Sequence, residues 1–328
     1  MKARTLGGSA IAVALTGALL VAMSSQPVPP EPVPIATRAI ATLKIPGSAD
    51  FLVADGRAVW VTNEGRVERL ELGRDAPVAS VALPSPCGAM VVAFGALWVA
   101  DCKELGVVRV DLKTHRVTAR VATGLADPDG ELSLAAGAGA VWVLSDRKGV
   151  LSRIDPATNR VSATVAVAPE SFGAAFAFGS VWITNTRSAI PAAGGSVQRI
   201  DPATNRIVAT VGVGPTPRFL TAGEGGVWTL NQGDGTISRI DPATNALLAS
   251  IPTGMAGAGG DIAAGAGRIW VRGKTRLLAT IDPRTNQVVE VFGPPAGSGA
   301  VRVASDLTWI TAHDTQTVWV LRASPVRP

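Results

Sequence analysis

The sequence predicts an all-β fold: seven copies of a four-stranded antiparallel unit, closed into a ring as a seven-bladed β-propeller. Three observations carry this. A nonapeptide is written four times, a Trp-centred triplet is written seven times, and the two ends of the repeat array lack complementary pieces.

The nonapeptide is RIDPATNRV (153–161), RIDPATNRI (199–207), RIDPATNAL (239–247) and TIDPRTNQV (280–288). A catalytic motif in four copies would make four identical sites, so a structural unit is the simpler reading. Its first residues continue an apolar alternation typical of a strand. In the turn, Asp accepts backbone hydrogen bonds, Pro presets φ, and Asn tolerates the left-handed conformation that closes a hairpin.

The triplet follows a small-residue turn in AVWVTN (58–63), ALWVAD (96–101), AVWVLS (140–145), SVWITN (180–185), GVWTLN (226–231), RIWVRG (268–273) and LTWITA (307–312). The spacings between successive Trp, 38 to 46 residues, average near 40, the period of a propeller blade. Each copy divides into four short Val- and Ile-rich runs. Phe94-Gly95, Ala138-Gly139, Phe178-Gly179, Glu224-Gly225 and Ala266-Gly267 join the first two runs, with Gly supplying the positive φ of a tight hairpin. Seven Trp in one frame are expected to pack between blades rather than stack a ligand.

The ends decide between a ring and an open solenoid. TRAIATLKIPG (37–47) reads as a fourth strand without its first three, and TVWVLRAS (317–324) as a third strand without its fourth. Pairing them closes the ring and removes sheet edges. The organisation expected is a signal peptide at 1–24, a Pro-rich linker at 25–36, the propeller at 37–324 and a tail at 325–328. MKAR followed by the apolar run Leu6–Met23 and small residues supports export with cleavage. Membrane attachment is expected only if that segment stays uncleaved.

The net charge is +5 with scattered cations, so no nucleic-acid partner is expected. Counting outward from the Phe94-Gly95 turn sets Cys87 opposite Cys102, and a disulfide is expected there.

WVTN beside segments such as IDPATNRVSATV resembles the YVTN-type propeller repeats of secreted bacterial proteins, a group related to the virginiamycin B (streptogramin) lyases. The resemblance covers about 37–324 and implies the fold. It also implies, for a lyase, a pair of His and a Glu with magnesium. The chain has two His. His115 stands at the Asn position of a turn, which leaves His313, beside Asp314, on the opposite rim.

No phosphate loop, GxSxG, HExxH or CxxC is present, and no cofactor is expected. The expected function is a monomeric, exported binding or scaffold module. The alternative is a lyase or hydrolase of the streptogramin-lyase type.

The loops after second strands vary from blade to blade, and with the interblade connections they form the rim expected to bind ligand. Acids there include Asp50, Asp101, Asp127, Asp129, Glu131, Asp146, Glu170, Asp234, Asp261 and Asp314. DPDGE (127–131) reads as an Asx turn, since it lacks a full calcium loop. Cations include Lys103, Arg147, Lys148, Arg187, Arg218, Arg272, Lys274 and Arg276, densest in blades five and six. The ligand-binding set expected is Asp146, Arg147, Asn185, Arg218, Asn231, Arg272, Lys274 and His313. The partner expected is a small polar or anionic ligand, or an extracellular protein.

Overall fold

The computed structural model describes residues 29–124, 131–145, 149–187, 190 and 193–323. Seven sheets follow one another around the ring, each built on a four-stranded antiparallel meander; the strands lie in sequence order in blades one to six, and the outer strand of blade seven comes from the N-terminus. The first strands of the blades (Leu52–Asp55, Val91–Ala93, Leu134–Gly137, Ser171–Ala177, Pro217–Gly223, Asp261–Gly265 and Val301–Ala304) pack beside one another around the central channel. Ala39–Lys44 pairs antiparallel with Thr317–Arg322, so the N-terminal strand supplies the missing outer strand of blade seven. The ring is closed as the two deficits require.

The segment taken as linker up to residue 36 ends inside the fold. Val33–Pro34 runs parallel to the outer strand of blade six, pairing with Phe292 and Gly293, and Ile35 is buried behind it.

At each of the five Gly-containing hairpin turns both central residues take positive φ, as a two-residue turn matched to strand twist requires. The Asn residues of the DPATN-type turns, and His115 in the same place, also lie in the left-handed region.

Every Trp at the repeated frame position is buried and packs into the next blade. Trp98 lies with Val141 and Val143, Trp142 with Val181 and Ile183, and Trp309 with Val59 and Val61 across the closure. In blades two to six the indole N–H donates to the carbonyl five residues back, as from Trp182 to Ala177 at 3.1 Å. This satisfies the one polar atom of a large buried ring.

The Arg that opens the nonapeptide then acquires a role. Arg109, Arg153, Arg199 and Arg239 each lie 4.8–5.2 Å from the centroid of their own blade's Trp. Each also donates to the Pro carbonyl and the Asn side chain of the next blade's turn, as from Arg199 to Pro242 at 2.8 Å and Asn245 at 3.0 Å. Thr280 replaces this Arg in blade six because blade seven, closed by the N-terminal strand, has no such turn to reach.

The disulfide forms, with Cα atoms 5.9 Å apart, but the register differs from the simple hairpin. Val91 to Ala93 pair as expected, yet the next bridge is Pro86 with Asp101, so the first strand carries two extra residues. These residues swing to blade three, where Gly88 bridges Leu132 and the Ala89 N–H donates to the Leu132 carbonyl at 2.8 Å. Gly88 has φ +88°, and a Cβ there would fall 1.8 Å from the Leu132 oxygen, so only glycine fits.

Candidate functional site

The two faces of the ring differ in chemistry. On the hairpin face each turn Asp is used internally. Asp155 accepts the Ala157 N–H at 2.8 Å and the Thr158 hydroxyl at 2.9 Å, and Asp201 and Asp241 repeat the pattern. These hydrogen bonds to the charged form hold the three carboxyls below the usual range. A concavity of about 600 Å³ near Asp55, Arg69 and Glu71 also lies on this face. Its charges neutralise one another, since Arg69 pairs with both carboxylates.

On the opposite face, the connections into the first strands converge at the channel mouth. Phe51 of blade one meets Phe219 of blade five across the axis, with ring centroids 6.3 Å apart. A channel cavity of about 310 Å³ lies along the inner strands, and a mouth pocket of about 270 Å³ opens beside it; Phe51 lines both. The pocket is otherwise lined by Ser48, Asp50, Thr62, Asn63, Glu64, Pro86, Cys87, Gly88 and Glu131.

Charged groups around the mouth are largely paired. Arg218 donates to Glu131 at 3.0 Å, and its guanidinium lies 3.7 Å from the Phe172 ring centroid. Arg302 pairs with buried Asp261 at 3.2 Å and donates to the Leu52 carbonyl at 2.9 Å, tying blades six, seven and one. Burial pushes the Asp261 carboxyl up despite that partner. His313 Nδ1 lies 2.7 Å from Asp314, whose other oxygen accepts the Ser298 N–H.

Asp50 is the exception. Among the described residues its carboxylate receives no hydrogen bond. Burial, then repulsion from Glu131, Asp261 and Asp314, pushes its pKa up to about 7, with Arg272 opposing.

Of the residues expected to bind ligand, Asp146 and Arg147 lie outside the described residues, as do Asp127 and Asp129. Asn185 and Asn231 are fully buried. Asn185 bonds Ser171 and Ser196, and Asn231 bonds Thr229, Thr236 and Ser238, so their amides brace strand ends and have no atom to offer.

Arg272 corrects the expected basic rim. It is fully buried, donates to the carbonyls of Thr311, Leu277, Gly297 and Gly273, and burial lowers its pKa to about 10. It stands two residues after Trp270, where Thr184 and Thr311 also bond into the next blade. Arg218 and His313 do reach the mouth region, engaged with Glu131 and Asp314, while Lys274 is exposed.

Asp50, Glu131, Asp261 and Asp314 are among the acids expected on this rim, none of them as a ligand contact. Phe51, Phe172 and Phe219 are not among the residues expected there, although three of the chain's seven Phe stand nine or ten residues ahead of a frame Trp.

The magnesium-bearing His and Glu set implied by the resemblance does not fit these residues. No three His, Cys, Asp or Glu converge as metal donors among the described residues, and one His stands on the rim.

Residues 53–189 match a repeat of unknown function (DUF6923). No curated protein matches the sequence. The structure is similar to that of virginiamycin B lyase from Staphylococcus aureus, with a TM-score of 0.69 and 14% identity, covering 86% of this chain and 98% of that one. At that identity the likeness establishes a shared propeller architecture.

Proposed function

We propose that this chain is an exported propeller that binds a small polar ligand at the loop-side mouth of its central channel. One observation carries the reading: Asp50, a carboxyl without a hydrogen-bond partner among the described residues, lines a pocket together with Phe51. A burial-perturbed titratable group in a concave, partly apolar site marks a binding centre. YVTN-type repeats, a basic, apolar leader and a disulfide accord with an extracytoplasmic location.

The test is equilibrium dialysis of the protein against a metabolite pool, beside a Ser48→Trp variant that fills the mouth pocket. A small molecule retained by the first and lost by the second is expected. Retention by both would place binding elsewhere. For export, the mature N-terminus found in the medium should lie near residue 25.

A lyase reading finds support in the His313–Asp314 contact of 2.7 Å, which holds an imidazole beside a carboxylate as an acid–base pair requires. The single rim His weighs against it. No conversion of virginiamycin B is expected, and mass-spectrometric detection of product abolished by His313→Ala would establish the lyase instead.

A further inference from the structure

We infer that the ligand at this mouth is a small organic cation, an amine or guanidinium, with its charge on Asp50 and its carbon skeleton against Phe51. The inference rests on the reading of the mouth as a binding site and adds the chemical class. Among the described residues three carboxylates, Asp50, Glu64 and Glu131, line the pocket, and no Lys or Arg does. Around it, Glu131 is engaged by Arg218, Asp261 by Arg302 and Asp314 by His313. Asp50 is left over. Asp50 is half-buried and lines the pocket. An anion entering there would meet Asp50, Glu64 and Glu131 together.

The chain itself displays the expected mode of recognition next door. Arg218 has its guanidinium carbon 3.7 Å from the Phe172 ring centroid while its nitrogens reach Glu131, a cation held between an aromatic ring and a carboxylate. Asp50 with Phe51 offers the same pair of surfaces without a resident cation. A bare divalent ion is a poorer fit, since it needs several converging oxygen donors and no such cluster occurs among the described residues. The volume of about 270 Å³ suits a small molecule.

Protonation gives the site a pH dependence of definite sign. Asp50 faces Glu131, Asp261 and Asp314, which favour its neutral form, and Arg272, which opposes them. A cation binds the ionised form, so affinity rises as pH rises through about 7.

The test is calorimetric titration of the full chain with agmatine and putrescine, and with succinate and phosphate as anions, at pH 8.5 and pH 5.5. The amines are expected to bind and the anions not. Amine affinity is expected to fall at least tenfold from pH 8.5 to 5.5, and at least tenfold in Asp50→Asn at pH 8.5, with the pH dependence lost. Circular dichroism and melting of Asp50→Asn control for folding. Tighter binding of succinate or phosphate, lost in Ser48→Trp, would overturn the cation inference and leave the mouth reading standing. Amine binding unchanged in both variants would overturn both. Failure of both amines to bind at millimolar concentration would overturn the inference.

Discussion

Asp50 sits with its carboxyl among Glu131, Asp261 and Asp314, so ionising it opposes folding. Its folded pKa is raised to about 7, so its favourable contribution is complete below the unfolded value and lost as pH rises through 7. Asp50→Asn is therefore expected to raise the Tm at pH 8.5, by roughly 2–5 °C, and to change it little at pH 3.5, below the unfolded value. Thermal melts at the two pH values check this. The turn carboxyls Asp155, Asp201 and Asp241 behave oppositely. Their pKa values are lowered, so their contribution is present above the usual carboxylate range and is lost as pH falls through the folded value.

Arg272→Ala would leave four carbonyls short of a donor and is expected to cost about 2–4 kcal/mol by denaturant unfolding, with Lys274→Ala near neutral. Reading charge along the sequence places both on the rim. It cannot distinguish them, because strand register decides which of two nearby cations turns inward. Asn185 and Asn231 mislead for the same reason. Each stands three residues after its Trp, where Asn63 in blade one likewise bonds the Pro46 carbonyl, and recurrence at one frame position signals scaffold.

At the scale of the blade, strand and turn assignments are legible because both signals are local: alternation, Gly hairpins and the Asp-Pro-…-Asn turn. The joint between blades is not. Each Arg of the nonapeptide meets an Asn 46 to 52 residues later, a distance no local pattern spans. The nonapeptide is thus two halves of two different contacts. Its Arg belongs to the joint with the following blade, and its Pro and Asn to the joint with the preceding one. Arg199→Ala, which loses the Trp182 face and both turn bonds, is expected to cost about 1–3 kcal/mol. Asn245→Ala should destabilise as well, through the lost acceptor and the left-handed φ of +59°. A double-mutant cycle between them should give a coupling energy distinct from zero.

Across the whole molecule, the period and the two terminal deficits were enough to specify a closed ring of seven blades. The channel contents were not legible, because which inner side chains meet across the axis depends on ring geometry, as Phe51 and Phe219 show. Closure has a cost if broken: removing 37–46 strips blade seven of its outer strand, and loss of cooperative unfolding is the expected result. The disulfide acts near the mouth. It fixes the segment whose Gly88 bridges Leu132, next to Glu131, and its 15-residue separation corresponds to about 3 kcal/mol of chain entropy. Changing both Cys to Ala should lower stability by about that amount in denaturant melts. Whether the loop-side mouth holds the ligand is decided by a crystal structure of the protein with the small molecule retained from the metabolite pool. Density is expected in the pocket beside Phe51, with a polar atom within hydrogen-bonding distance of Asp50; density on the hairpin face, with the mouth pocket filled by solvent alone, would overturn the assignment.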